Sequence, residues 1–171
     1  STSTSRPTGA VGRAASKIKP RFVHDPIREI EVYRTILEGA QLGTAAFRGA
    51  VVDPSHRRFW LVIERVEATE LWQHRSLDTW CGVASWLAGM HSELHDAVSE
   101  HLVRWTADHI QSWISRAGQL CDDASVDVAA RRSAELTERL MTRPAGFVHG
   151  ELYASNVLVD EQSGRVCPLD W

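Results

Sequence analysis

The residues best suited to chemistry lie near the end of the chain, in His149-Gly150-Glu151-Leu152-Tyr153-Ala154-Ser155-Asn156-Val157-Leu158-Val159-Asp160 and then Cys167-Pro168-Leu169-Asp170-Trp171. The skeleton is a histidine, a carboxylate two places on, an asparagine, an apolar run, a turn, a second apolar run, and an aspartate beside an aromatic ring. Moving a phosphoryl group from ATP to a hydroxyl needs a carboxylate that orients the attacking oxygen and accepts its proton. Glu151 fits that role. The triphosphate needs Mg²⁺ held by hard oxygen ligands, with positions left for phosphate and water. The amide carbonyl of Asn156 and the carboxylate of Asp170 are such ligands. His149 is expected to brace the loop by a hydrogen bond rather than to move a proton.

Distance along the chain closes if the two apolar runs form a hairpin. With Val157–Val159 pairing against Val166–Leu169, Asn156 and Asp170 share the open end of one two-stranded unit. At a strand spacing of about 4.8 Å both reach one cation. Protein kinases place their chemistry at comparable intervals, in H-R-D-x-x-x-x-N and D-F-G.

The segment resembles the aminoglycoside phosphotransferase and choline kinase group, whose text reads H-G-D-x-x-x-x-N followed by D-W. The match is close over 147–171. Upstream, the Arg28-Glu29 helix, the Phe59–Glu64 strand and the Leu87–His91 helix are similar in order and character. The resemblance implies an α+β, protein-kinase-like fold with ATP in an interlobe cleft. It implies a partial N-terminal lobe and hinge over 1–66, holding a helix and a β-hairpin. A partial, mainly helical C-terminal lobe with the catalytic-loop hairpin would then span 67–171. It also implies that backbone groups around Glu64, Arg65 and Val66 meet the adenine, and that Glu29 pairs with a lysine holding the α- and β-phosphates. Glu31 lies about 200° around the helix from Glu29 at ~100° per residue, so the two do not share one role.

Three departures qualify the likeness. Glu151 replaces the usual aspartate, which moves the carboxylate by roughly 1 Å, a scale at which rate can change ~10²-fold. Lys17 and Lys19 are the only lysines and both sit close to Pro20; no glycine-rich phosphate loop precedes them. The text stops at Trp171, where the family continues into helices that shape the substrate pocket, so a truncated copy is expected.

Several elements must position these residues. Asp25-Pro26 reads as an N-cap and first-turn pair for a helix through Ile27–Leu37, stopped at Gly39. Phe47–Val52 and Phe59–Glu64 form a hairpin across Asp53-Pro54-Ser55-His56-Arg57. Leu77, Trp80, Ala84, Leu87, His91 and Leu94 mark an amphipathic helix capped at Ser76. A second helix follows from Leu102 to Leu120 and a third from Val128 to Met141, closed by Pro144. Phe147-Val148, Val157–Val159 and Val166–Leu169 are short β-prone runs, the last after a Ser163-Gly164 turn. Residues 1 to about 16 are rich in Ser, Thr, Gly and Ala.

Composition limits the alternatives. With 43% hydrophobic and 24% charged residues the 171-residue chain can bury a core. A net charge of -3 and a pI near 6.2 give no electrostatic footprint for nucleic acid. Cys81, Cys121 and Cys167 show neither disulfide nor zinc spacing, which points to a reducing, cytoplasmic setting. No stretch approaches the ~20 apolar residues of a membrane span. His91 and His95 lack a third metal ligand, and the seven tryptophans mostly fall at helical spacing as core residues. The leading expectation is an ATP- and Mg²⁺-dependent phosphotransferase acting on a small aminoglycoside- or choline-like hydroxyl acceptor. A non-catalytic nucleotide-binding remnant of the same fold is the alternative, and a metal-dependent phosphoesterase, lacking the further carboxylates of a two-metal site, ranks last.

Overall fold

The computed structural model describes residue 25, residues 27–120 and residues 123–171. These form two compact units, Asp25–Leu102 with Ala145–Trp171, and Val103–Pro144. The 66/67 boundary between the expected lobes falls inside the first of them.

That first unit opens with helix α1, Arg28–Glu31, which runs directly into a wider π-helical stretch, Val32–Leu37. The expected helix is there, but its second half is not α. Glu38 N–H reaches back five residues to Tyr33 O at 3.2 Å, which is the wider register itself, and the Thr35 hydroxyl donates to Glu31 O at 2.7 Å. The N-cap position falls on Ile27, without a side-chain cap, rather than on the expected Asp25, whose Oδ1 accepts from Ile27 N–H at 3.0 Å just before the helix; Pro26 lies outside the described residues. Val32, Tyr33, Ile36 and Leu37 are all buried.

Strands β1, Phe47–Asp53, and β2, Arg58–Ile63, form the expected antiparallel hairpin, with a register irregularity between Phe47 and Gly49. A three-stranded antiparallel sheet has the order β3 (Thr69–Glu70), β4 (Val157–Asp160), β5 (Arg165–Pro168). A short 3₁₀ turn, Leu71–Gln73, follows β3. Sequence patterning missed β3, which is two polar residues long, and it wrongly made Phe147-Val148 a strand. Phe147 instead enters the core as an irregular segment, stacked on Trp171 at 5.7 Å between ring centroids.

Helix α2 spans Leu77–Glu93. Ser76 occupies the N-cap with extended backbone, but its side chain makes no capping hydrogen bond. The buried face is Val83, Met90 and Leu94, flanked by Trp86 and Leu87, about one residue round from the expected stripe; Leu77 and Trp80 are exposed. The tryptophan expectation also needs correction. Trp60, Trp72, Trp80, Trp105 and Trp113 are exposed, while Trp86 and Trp171 pack against the core. His95 is occupied locally, with Nδ1 3.1 Å from Ser92 O and Nε2 2.8 Å from Asp96.

One core cluster joins the first helix, α2, Phe147 and Cys167; a second joins Leu71, Val83, Val157, Val159 and Val166. The inward faces of β4 and β5 therefore anchor the hairpin that carries the candidate chemistry.

The second unit is a helical hairpin of α3, Ala107–Leu120, and α4, Ala124–Met141. Leu102 and Trp105 precede α3 rather than belong to it. Helix α4 starts earlier than expected because Asp123 caps it, accepting from Ser125 N–H at 2.8 Å. Among the described residues no helix is long and apolar enough to cross a membrane.

Candidate active site

The loop between Phe147 and β4 is coiled by its own hydrogen bonds. Gly150 has φ +85°, a left-handed conformation that glycine adopts without steric penalty. That turn brings Glu151 N–H to His149 Nδ1 at 3.3 Å. Glu151 O then accepts twice, from Tyr153 N–H at 2.7 Å and from Asn156 Nδ2 at 3.1 Å. Asn156 N–H closes on Tyr153 O at 2.8 Å, and Trp72 N–H fastens Ala154 O at 3.3 Å. The side-chain amide of Asn156 is thereby oriented by the backbone of Glu151.

The hairpin supplies the other half. Its register pairs Val157 with Pro168 and Asp160 with Arg165. Leu169 N–H donates to Asn156 O at 2.8 Å, which extends the ladder by one step and sets Asn156 beside the residue that precedes Asp170. Asp170 is exposed and has φ +60°, the left-handed region that a non-glycine residue occupies only when its surroundings hold it there. The structure thus gathers His149, Glu151, Asn156 and Asp170 at one end of one loop and hairpin.

His149 is only 7% exposed, with its ring centroid 4.3 Å from that of Trp171. Burial pushes its pKa below the usual value; the Leu169 backbone and the charges of Asp170 and Glu151 act the other way without cancelling it. With Nδ1 accepting from Glu151, the neutral ring carries its proton on Nε2, which finds no partner in hydrogen-bonding geometry. The Tyr33 hydroxyl is likewise buried and unsatisfied. Trp171 Nε1 spends its N–H on Pro168 O at 3.2 Å. Burial raises the Tyr33 pKa first, and coupling to the Cys167 thiol, Glu29 and Asp170 raises it further. Glu29 and Asp170 therefore act on the same phenol from opposite ends of the sequence. Lys17 and Lys19, the only lysines and neither assigned as the partner of Glu29, lie outside the described residues.

At the end of β2, Glu64 is committed more heavily than the sequence indicates. Its N–H donates to Ala46 O at 2.8 Å and its carboxylate pairs with Arg165 at 2.8 Å. Hydrogen bonding to Arg165, and then to Ala46 N–H, holds its pKa at about 2. Arg65 pairs with Glu67 at 3.0 Å on the surface, and Val66 O accepts from Ala68 N–H at 3.1 Å. Of this trio, the Glu64 N–H is thus already spent on the protein. Arg165 had no signal in the sequence: an arginine after a turn is ordinary, and its partner stands 101 positions away.

Among the described residues no three His, Cys, Asp or Glu side chains converge as a metal cage. One amide oxygen and one carboxylate, with a phosphate and water completing the shell, is a donor set Mg²⁺ accepts, and Asn156 and Asp170 are of the types that would supply it. A cleft of about 420 Å³ lined by Glu31, Arg34, Thr35 and Val98–His101 includes none of these residues.

Mixed helices with two small antiparallel sheets, and a carboxylate loop feeding an asparagine-aspartate hairpin, define the general class. The chain belongs to the phosphotransferase enzyme family, whose model matches residues 7–171. This agrees with the resemblance to the aminoglycoside phosphotransferase and choline kinase group. No curated protein and no solved structure matches it.

Proposed function

We propose that this protein transfers a phosphoryl group from Mg²⁺-bound ATP to a hydroxyl of a small aminoglycoside- or choline-like molecule. The observation that carries the reading is the bond from Asn156 Nδ2 to Glu151 O, together with the Asn156–Leu169 ladder step. Those two contacts tie the carboxylate loop to the aspartate hairpin, and among the described residues Asn156 Oδ1 accepts only from the Ser155 hydroxyl, at 3.3 Å.

In this reading Glu151 orients the acceptor hydroxyl and takes its proton as the oxygen attacks. Asn156 Oδ1 and the Asp170 carboxylate hold Mg²⁺, which when bound neutralises charge on the phosphates. Neutral His149 fixes the Glu151 backbone and moves no proton. Glu29 steadies the phosphate end and the Glu64–Val66 backbone receives the adenine, within a protein-kinase-like fold.

ADP release should be measured against aminoglycosides, choline and related amines. Turnover with one of these, lost in Glu151→Gln and in Asp170→Asn, is the expected result. Turnover that survives both substitutions rejects the mechanism. Nucleotide binding without turnover on any acceptor would instead favour a non-catalytic member of the same fold.

A further inference from the structure

We infer that Arg165 is a positioning residue, which grips Glu64 and so holds the segment after β2 at a fixed span from Asn156 and Asp170. The inference rests on the phosphoryl-transfer reading, because the object engaged at both ends is the nucleotide.

The grip is unusually complete. Arg165 Nη1 and Nη2 donate to Glu64 Oε1 and Oε2 at 2.8 and 2.9 Å, a two-pronged pairing that fixes orientation as well as distance. Its Nε donates to Gly43 O at 2.8 Å and its Nη2 also to Thr44 O at 3.1 Å. Glu64 in turn accepts from Ala46 N–H at 3.1 Å. One guanidinium therefore joins β5, the loop before β1 and the end of β2. Gly43 has φ +70°, and a Cβ there would meet Arg165 Cγ and Val166 O at 3.6 Å, so this loop approaches β5 closely.

Placement gives the grip its meaning. Arg165 begins β5, which ends at Pro168, two residues before Asp170. β5 and the two residues after it thus link the guanidinium that holds Glu64 to Asp170, and the Val157–Pro168 pairing sets Asn156 beside the end of β5 away from Arg165. Both side chains of the pair are near 30% exposed, at 31% and 27%, outside the apolar clusters that hold the unit together. The pair is half-buried at the periphery of those clusters, and its two-pronged geometry fixes orientation. Its effect is to set relative position.

Adenosine contacts only the first end, whereas Mg²⁺-ATP contacts both. Equilibrium binding of each should be measured for the wild type, Arg165→Lys, Arg165→Met and Glu64→Gln, with near-UV circular dichroism confirming that the variants fold. We expect adenosine affinity to be unchanged in Arg165→Lys and Arg165→Met, and Mg²⁺-ATP affinity to fall about tenfold or more in every variant. The KM for ATP should rise more than kcat falls, and Glu64→Gln combined with Arg165→Met should be no worse than Arg165→Met alone. Unchanged Mg²⁺-ATP affinity, or equal loss of both ligands in the Arg165 variants, overturns the positioning role alone. A wild type that binds neither ligand overturns the phosphoryl-transfer reading and this inference with it.

Discussion

At the scale of single residues, His149 and Asp170 each stand in a setting their chemistry resists. His149 is buried, so its folded-state pKa lies below the ordinary 6.5 and the unfolded chain binds the proton more readily. Its contribution to stability is complete above about pH 6.5 and declines as the pH falls below that value. Denaturant midpoints of the wild type and His149→Gln, followed from pH 7.5 to pH 5, check this sign: the wild type should lose stability on acidification more steeply than the variant. Gly150 presents a simpler case. A Cβ there meets open space, so the cost of Gly150→Ala is the left-handed backbone alone, about 1–2 kcal/mol. Chemical denaturation should show that loss. The backbone of Asp170 is already left-handed, and asparagine tolerates that region as aspartate does, which makes Asp170→Asn the substitution that removes charge without a new backbone demand.

At the scale of elements, the β4–β5 hairpin was legible because two β-prone runs flank a turn, and its alternation is seen in the burial of Val157 and Val159. Val157 is 1% exposed, and Val157→Ala should cost about 2–3 kcal/mol through lost apolar burial and a residual cavity, read from the unfolding midpoint. Other elements could not be read from local pattern. β3 is two polar residues, strands only by virtue of pairing with Leu158 and Val159. Phe147 looks β-prone, yet stacking on Trp171 claims it for the core. The wider turn at Val32–Leu37 is a matter of hydrogen-bond register, which side-chain spacing does not reveal. The Glu64–Arg165 tie is long-range, and its pH signature is its own. Because Glu64 titrates near 2 rather than 4.5, the tie is complete above about pH 4.5 and weakens as the pH falls toward 2. Protection of the Ala46 and Glu64 amides, after correction for the intrinsic pH dependence of exchange, should fall over that window in the wild type and stay level in Glu64→Gln.

At the scale of the whole molecule, every candidate site residue belongs to the unit formed by Asp25–Leu102 and Ala145–Trp171. The sequence carried the candidate motif and the family, since residue types at fixed intervals are local information. What it lacked was the long-range bonding that assembles those residues, above all Asn156 to Glu151 and Arg165 to Glu64. A ligand that binds only the folded form adds about 2.7 kcal/mol at a hundredfold excess over Kd. Mg²⁺-ATP should therefore raise the thermal midpoint of the wild type, and ATP with a chelator should raise it less. The central claim is that Asn156 and Asp170 share one divalent cation beneath the triphosphate. Mn²⁺ binding in the presence of ATP, followed by electron paramagnetic resonance, tests it most directly. Asn156→Ala and Asp170→Asn should each abolish the same nucleotide-dependent Mn²⁺ site, and the double variant should lose nothing more. Nucleotide-dependent Mn²⁺ binding equal to the wild type in either single variant would contradict a shared cation.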